Sequence, residues 1–180
     1  YARRGDGDRA VTLLRMLNPI ERARVPEDVE RYKVEPYVVA ADVYALEGHV
    51  GRGGWTWYTG SSSWLYRVWL EEVLGFKLRG ERLVVDPVVP ARWEGFVIRY
   101  RHRSARYEIK VENPDGVSRG VAWVELDGKR LPGKTVRLRD DGGQHAVVVR
   151  LGQSGRAQTA GLADVAVVGG SAGAADGSAG

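Results

Sequence analysis

The sequence has no cysteine, one methionine and two phenylalanines among its 180 residues, and no long uninterrupted apolar run. Without cysteine the chain can form neither a disulfide scaffold nor a thiolate zinc site, and it has no cysteine nucleophile. The lack of cysteine also favours a reducing compartment. A bilayer-spanning helix needs about 18 consecutive apolar residues, and no such run is present. No basic-then-apolar signal segment opens the chain, and because residue 1 is Tyr1 we expect the chain to begin inside a longer protein.

Charge of one sign is not in large excess either, since 27 Lys and Arg stand against 23 Asp and Glu, a formal net charge of +4. A dedicated nucleic-acid-binding protein concentrates its basic residues on one face. Four arginines between residues 99 and 106 form a basic ribbon, but Glu108 and Glu112 follow them closely. An ordinary charged sheet surface is therefore favoured over a nucleic-acid face, and we expect no nucleic-acid partner.

Composition changes twice along the chain and divides it into three zones. Residues 1–75 have the patterns of helices and connecting loops, and residues 76–152 alternate apolar and polar positions with the period of strands. Residues 153–180 are mostly Gly, Ala and Ser without aromatics, which predicts a disordered tail. The sequence therefore predicts an α+β chain, with helices followed by an antiparallel β-sandwich domain of short strands and then the tail.

Three helices are predicted in the first zone. Asp8 is the expected N-cap of a helix over residues 9–17, and residues 37–44 are apolar nearly all round, which is typical of a buried helix. A third helix is expected from residue 61 or 62 to about residue 74, with Arg67 and Glu71 paired one turn apart and Gly75 as its stop. Residues 21–33 are predicted as a loop with one short helical turn.

Alternation predicts strands in the second zone near residues 96–101, 107–112, 121–126, 129–131, 134–138 and 145–151. A two-residue turn at Ser104-Ala105 joins the first two, which places Arg101 opposite Glu108 as a favourable pair. His145 lies in one of these strands without metal-ligand spacing, so a structural role is favoured and no metal site is expected.

The densest functional signal is the segment over residues 53–64, GGWTWYTGSSSW. Its aromatic residues Trp55, Trp57 and Tyr58 offer flat apolar faces with polar edges, which suit sugar rings. The residues that follow, Thr59, Gly60 and Ser61, stand where a helix begins, and free N–H groups there bind anions such as phosphate. From the residues alone, an ordinary helix cap after a glycine-rich loop, with the tryptophans in the core, stays an open alternative.

The segments EPYV at residues 35–38 and GWTWYTGS at residues 54–61 resemble the C-terminal part of glycoside hydrolase family 94. This family contains cellobiose and chitobiose phosphorylases and the phosphorylase-like domain of cyclic β-1,2-glucan synthases. Further segments at residues 31–44, 49–54 and 107–114 are most similar to the synthases. The resemblance covers roughly residues 1–152 and does not extend into the tail.

The resemblance implies that residues 1–75 are the last helices of an (α/α)6 barrel and that residues 76–152 are a small C-terminal β domain. It implies inverting phosphorolysis of β-glucosides to a sugar 1-phosphate, with inorganic phosphate as co-substrate and no other cofactor. Thr59 and Gly60, followed by Ser61, match the phosphate-contacting residues. Asp42 lies where disaccharide phosphorylases have a sugar-binding Gln, and it is the expected substitute.

The family's general acid, an Asp, and a phosphate-holding His lie upstream of the matching segment, so we expect this chain alone to be inactive. The expected partners are a β-linked gluco-oligosaccharide, phosphate and the upstream part of the barrel, with Trp55, Trp57, Tyr58 and Arg52 as further sugar or phosphate contacts. A parent synthase would be anchored in the inner membrane, with this part cytoplasmic and without direct membrane contact. The alternative is a non-catalytic sugar-binding or structural module that uses the aromatic residues 55–58 as its platform.

Overall fold

A computed structural model describes residues 1–35, 38–56 and 59–153 of the chain. The fold is mixed α+β, as the sequence predicts, with helices in the first half and strands in the second. The helices are α1 (Gly7–Leu17), α2 (Pro26–Tyr32) and α3 (Thr59–Arg67), the last continued by a π-helical segment (Val68–Val73), with 3-10 turns at Ala2–Arg4 and Pro19–Arg22. The strands are β1 (Phe76–Arg79), β2 (Arg82–Val85), β3 (Gly95–His102), β4 (Ala105–Glu112), β5 (Val121–Leu126), β6 (Lys129–Arg130), β7 (Thr135–Arg137) and β8 (Gln144–Leu151). The predicted tail lies outside the described residues from residue 154 onward. Within the described ranges, none of the helices has the length and hydropathy that a bilayer crossing requires.

Helix α1 is capped by Asp6 and not by Asp8, the predicted N-cap. The Asp6 side chain accepts a hydrogen bond from the Arg9 N–H at 3.0 Å. Asp8 lies inside the first turn, and its carboxylate accepts hydrogen bonds from Arg92 Nη1 at 2.8 Å and from the Ala91 N–H at 3.3 Å. Both aspartates suit a helix N-terminus, so only the contact with the distant Arg92 separates their roles.

The predicted buried helix over residues 37–44 is wrong. Residues 38–44 are not helical, and Val43 instead pairs with Gly53 in an isolated antiparallel bridge. Residues 41–44 are exposed, and Tyr37 lies outside the described residues. Consecutive β-branched residues such as Val38 and Val39 favour extended backbone over helix, which explains why the apolar pattern was misleading.

The segment over residues 21–33, predicted mainly as a loop, contains α2. Pro26 occupies its first turn, where a missing N–H costs nothing, and Lys33 closes it with a left-handed φ of 57°.

Helix α3 begins at Thr59, two or three residues before the predicted start. The predicted pair of Arg67 with Glu71 is confirmed, with Nη2 and Oε2 3.3 Å apart. The predicted stop at Gly75 is also confirmed: its φ is +71°, and a Cβ there would lie 2.2 Å from the Asp86 carbonyl carbon. Only glycine combines that backbone conformation with so close an approach.

The strands form two sheets, one with the order β1-β2-β7 and one with the order β3-β4-β8-β5-β6. All pairs are antiparallel except β4 with β8, which run parallel. The larger sheet is therefore mixed and not wholly antiparallel as predicted. The reason is topological, because the chain leaves the sheet after β6, adds β7 to the other sheet and returns as β8 between β4 and β5.

The β3–β4 hairpin turns one residue earlier than predicted, at residues 103–104. The first turn residue has a φ of 54°, the left-handed conformation that two-residue hairpin turns use. Arg99 consequently stands opposite Glu108, with Nε and Oε2 3.1 Å apart, and Arg101 stands opposite Arg106. The predicted pairing of Arg101 with Glu108 is therefore wrong.

Both sheets and α1 contribute to one hydrophobic core. In β4 the predicted alternation is confirmed, since Tyr107, Ile109 and Val111 are buried and the residues between them are exposed. Helix α1 adds Val11 and Leu14 to the same core. Strands from both sheets supply Leu83, Val85, Val136, Val121, Val124, Val147, Val149 and Leu151. The first helix is thus packed onto the strand region and not isolated from it.

His145 on β8 lies between two carboxylates. Its Nδ1 is 2.8 Å from Asp127 Oδ2 in the β5–β6 turn, and its Nε2 is 3.1 Å from Asp141 Oδ1 in the β7–β8 loop. Hydrogen bonds with Asp127 and then Asp141 raise the pKa of His145. Burial acts to raise the pKa of Asp127, but hydrogen bonds from His145 and the Ala146 N–H lower that pKa overall. Hydrogen bonds from the Gly143 N–H and His145 lower the pKa of Asp141. The His145 side chain therefore links the β5–β6 turn and the β7–β8 loop to β8.

This arrangement predicts a pH-dependent stability. Because the folded-state pKa of His145 is raised, its contribution to the free energy of unfolding is fully present below about pH 6.5, the unfolded-state pKa. This contribution is lost as pH rises through the folded-state pKa. The lowered pKa values of Asp127 and Asp141 mean that their contribution is present above about 3.9 and is lost as pH falls. We expect the thermal midpoint to fall by roughly 2 °C on the alkaline side and His145→Gln to remove that fall. An unchanged pH profile in this variant would contradict the assignment; His49→Gln, in an exposed loop, is the control.

Candidate functional site

Residues 41–55 form an irregular antiparallel loop, here called the 41–55 loop. The Ala41 N–H donates to Trp55 O at 2.8 Å, the Gly54 N–H donates to Asp42 O at 2.9 Å, and the Tyr44 N–H donates to Arg52 O at 2.9 Å. These bonds join the two limbs of the loop. They place Asp42, expected from sequence to contact sugar, directly beside the aromatic segment.

The Tyr32 side chain at the end of α2 anchors the 41–55 loop. The main-chain carbonyl oxygen of Tyr32 also accepts a hydrogen bond from the Gly53 N–H at 2.8 Å. The ring is buried, and this burial raises the pKa of the Tyr32 hydroxyl against the opposing effect of a hydrogen bond with the Ala40 main chain. Tyr32 thus bonds to Gly53 on one limb and to Ala40, the residue directly before the other limb.

Two glycines of the motif allow close approach at this point. A Cβ on Gly53 would lie 2.5 Å from Val34 Cγ2 and 3.1 Å from a Tyr32 ring carbon. A Cβ on Gly54 would lie 2.1 Å from Asp42 Oδ1. The glycines therefore make room for Tyr32 and Asp42, a role that the sequence pattern did not indicate.

Asp42 and Trp55 are brought together, as the sequence-based hypothesis requires. The Trp55 N–H donates to Asp42 Oδ1 at 3.3 Å, and the Trp55 side chain is 70% exposed. Trp55 therefore does not belong to the core formed by the described residues. Trp57 and Tyr58, the other predicted aromatic contacts, lie outside the described residues.

The predicted phosphate-binding residues Thr59, Gly60 and Ser61 are the first three residues of α3. The N–H groups of a helix's first turn have no intrahelical acceptor, and the helix dipole adds positive potential there. Thr59 follows Trp55, the last residue of the 41–55 loop, by four positions, so the helix start lies within about 14 Å of the end of the loop. Helix start and loop are therefore close enough to contact the two ends of one glycosidic substrate.

Arg52 lines a separate cleft of about 340 Å³ between the end of α2 and the tip of the 41–55 loop. Arg31, Lys33 and His49 also line it, with Glu30 as an acidic neighbour, so the cleft carries net positive charge. Sequence reasoning singled out Arg52 but missed Arg31 and Lys33. They belong to a charged segment predicted as a loop, and only the fold places that segment beside the motif.

The sequence of this chain is similar to those of one family of known proteins. Residues 1–75 match the family described as Glycosyl hydrolase 94 superfamily, catalytic domain. The chain is 45% identical over 111 residues to the cyclic beta-(1,2)-glucan synthase NdvB of Rhizobium meliloti, an alignment that covers 62% of this chain and 4% of that protein. It is 33% identical over 153 residues to the N,N'-diacetylchitobiose phosphorylase of Vibrio furnissii, which covers 84% of this chain and 18% of that protein.

A third relative is the 3-O-beta-D-glucopyranosyl-beta-D-glucuronide phosphorylase of Paenibacillus borealis, 35% identical over 95 residues, or 53% of this chain and 12% of that protein. The chain therefore spans less than a fifth of the length of each of these relatives.

The two motif glycines differ in what an added methyl group would displace, and this predicts different costs. Gly53→Ala pushes against the buried Tyr32 ring and Val34, so we expect a loss of about 1–3 kcal/mol in the free energy of unfolding. Gly54→Ala meets only the flexible carboxylate of the exposed Asp42, so we expect a smaller loss. Urea denaturation of both variants, with Gly133→Ala in open space as the control, measures the difference. Equal losses for Gly53→Ala and Gly54→Ala would refute this packing explanation.

Proposed function

Because this chain belongs to glycoside hydrolase family 94, we propose that it is the C-terminal part of a carbohydrate-active glycoside phosphorylase or cyclic β-1,2-glucan synthase. In this proposal residues 1–75 supply the last helices of an (α/α)6 barrel and residues 76–152 form its C-terminal β domain, of sandwich type. The observation that carries it is the position of Thr59 and Gly60 in the first turn of α3, directly after the loop that holds Asp42 and Trp55.

Phosphate binds, in this proposal, to the first turn of α3 through backbone N–H groups and the hydroxyls of Thr59 and Ser61. Among the described residues, and apart from the neighbours of Gly60 in the chain, no atom from outside the helix lies within 4 Å of the position that a Cβ on Gly60 would occupy. An anion can therefore approach the backbone closely at this residue, which supports its assignment as a phosphate contact.

The sugar binds against the 41–55 loop. The exposed face of Trp55 offers a stacking surface, and the neighbouring Asp42 carboxylate accepts hydrogen bonds from sugar hydroxyls. Trp57, Tyr58 and Arg52 are proposed as additional contacts from their positions in the motif.

Phosphorolysis then follows from this placement. A phosphate oxygen attacks the anomeric carbon from the side opposite the glycosidic oxygen, so a new C–O bond forms as the old one breaks and the β-glucoside yields α-glucose 1-phosphate. The departing oxygen needs a proton from a general acid, which we assign to the part of the protein upstream of this chain. This chain orients the nucleophile and the sugar.

The distribution of exposed apolar side chains supports an upstream partner for the helical half. Of the fourteen large apolar side chains exposed in the described residues, thirteen lie before residue 67 and one, Val97, lies in a strand. A monomeric surface rarely concentrates apolar groups in this way. The remaining helices of a barrel would cover those that do not line the proposed sugar site, which keeps Trp55 open to its ligand.

A non-catalytic sugar-binding module is the second candidate, and the 70% exposure of Trp55 favours it equally. The two candidates differ in whether they bind inorganic phosphate, because a sugar-binding module does not need an anion site at the start of α3.

Phosphate binding separates the two candidates. We expect calorimetric titration with inorganic phosphate to show binding that Thr59→Val weakens at least about tenfold, since a hydrogen bond to a charged group contributes that much or more. Ser62→Ala is the matched control, because Ser62 is exposed in the same helix and outside the proposed contact set. Equal affinity in Thr59→Val, or no phosphate binding at all, would favour the sugar-binding module.

Activity of the isolated chain is the second test. We expect the pure chain to release no glucose 1-phosphate from β-linked gluco-oligosaccharides and phosphate, because the proposal assigns the general acid to the upstream part of the protein. Addition of the separately produced upstream part of a family member should give phosphorolysis that Asp42→Asn reduces. Turnover by the pure chain would show that the acid lies within these residues.

A further inference from the structure

Arg101 and Arg106 face each other across the β3–β4 hairpin. The Arg106 N–H donates to Gly143 O at 2.9 Å, on the side of β8, and so does not bond to β3. The two arginines therefore form a non-hydrogen-bonded pair, the type in which opposite Cα atoms are only about 4.5 Å apart and side chains come closest. Like charges directly opposite each other in this arrangement destabilise a sheet.

At a second position in the same hairpin, an arginine stands opposite a glutamate and the two charges neutralise each other. Arg99 and Glu108 stand opposite each other two residues further along, with Nε and Oε2 3.1 Å apart. By contrast, Arg101 and Arg106 are exposed, and neither forms an ion pair with any residue in the described part of the chain. Within the larger sheet, Arg101 and Arg106 are therefore the one pair of arginines that face each other in the described strands, whereas the smaller sheet has facing arginines at Arg82 and Arg137.

A cleft of about 510 Å³ lies at this position. Both arginines line it, together with Arg99, Glu108 and Gln144. Gln144 stands beside Arg106 in register on β8, so three donor side chains cross three neighbouring strands in one row. The row spans about 10 Å, two strand spacings, and the volume falls within the usual range for small-molecule sites.

We propose that this cleft binds a monosaccharide unit that carries an oxyanion, either a carboxylate or a phosphate. The guanidinium groups of Arg101 and Arg106 hold the anionic oxygens, since planar guanidinium groups match such oxyanions with paired hydrogen bonds. Gln144 and Glu108 hydrogen-bond the sugar hydroxyls, and the volume exceeds what a lone phosphate needs. The bound anion also offsets the repulsion between the two arginines.

A nucleic acid fits this face less well. A phosphate backbone needs a continuous track of cations, whereas Glu108 and Glu112 interrupt this one. The site lies on β3, β4 and β8, and it does not depend on the proposed phosphate contacts of α3.

The test is an NMR titration of the full 180-residue chain with glucuronate, glucose 6-phosphate, inorganic phosphate and neutral glucose. We expect at least one of the two anionic sugars to shift the amide signals of residues 99–108 and 144–146, and glucose to leave them unchanged. Shifts by glucuronate alone, or by glucose 6-phosphate alone, identify the anion as carboxylate or phosphate. Inorganic phosphate tests the proposed function through the amide signals of residues 59–61, whereas the anionic sugars test this cleft through the signals of residues 99–108 and 144–146. Failure of either proposal is therefore seen at a different set of signals.

Variants separate binding from folding. Arg101→Gln and Arg106→Gln should each weaken the anionic sugar at least about tenfold. Arg137→Gln, opposite Arg82 on the smaller sheet, is the matched control and should bind normally. Arg106→Glu places a carboxylate opposite Arg101, as Glu108 stands opposite Arg99. This variant should therefore lose binding of the anionic sugar, while its thermal midpoint stays level or rises. The proposal is overturned if no anionic sugar shifts the strand signals, if both Gln variants bind normally, or if a single-stranded oligonucleotide shifts the same signals more strongly.

Discussion

The 41–55 loop keeps its shape through Tyr32, the last residue of α2. Residues 41–50 are all exposed, so the loop has little buried surface of its own to hold it. The Tyr32 carbonyl bonds to Gly53 on one limb, its hydroxyl bonds to the Ala40 main chain beside the other, and its ring fills the space that Gly53 leaves. The positions of Asp42 and Trp55 relative to the start of α3 therefore depend on a short helix that contributes none of the motif residues.

Local patterns predicted much of the fold because they report local physics. Alternation in β4, the pair of Arg67 with Glu71 and the glycine stop after α3 are each decided by neighbouring residues, and each is confirmed. The parallel pairing of β8 with β4 was missed because it joins residues more than thirty positions apart. The shifted β3–β4 turn and the extended segment over residues 38–44 are local errors, in which turn geometry and β-branched residues outweigh the apolar pattern.

The candidate site shows the same division. The helix near the Thr-Gly-Ser segment follows from residue types that favour a helix N-terminus, although it begins two or three residues before the predicted start. That Asp42 bonds to the Trp55 N–H could not be read from the sequence, because the apolar residues around Asp42 suggested a helix and the structure has a bridged loop there. Arg31 and Lys33 escaped notice for the same reason, since their neighbourhood is created by the packing of α2.

The central place of β8 bears on how the sheet is completed during synthesis. Strands β4 and β5 each hydrogen-bond to β8 along one side, yet β8 is the last of the described strands to leave the ribosome. Until residues 144–151 emerge, both earlier strands have a long unpaired edge, and such edges promote association between nascent chains. The sheet therefore closes in a single late step, and cellular conditions that slow translation before residue 151 would prolong its most aggregation-prone state.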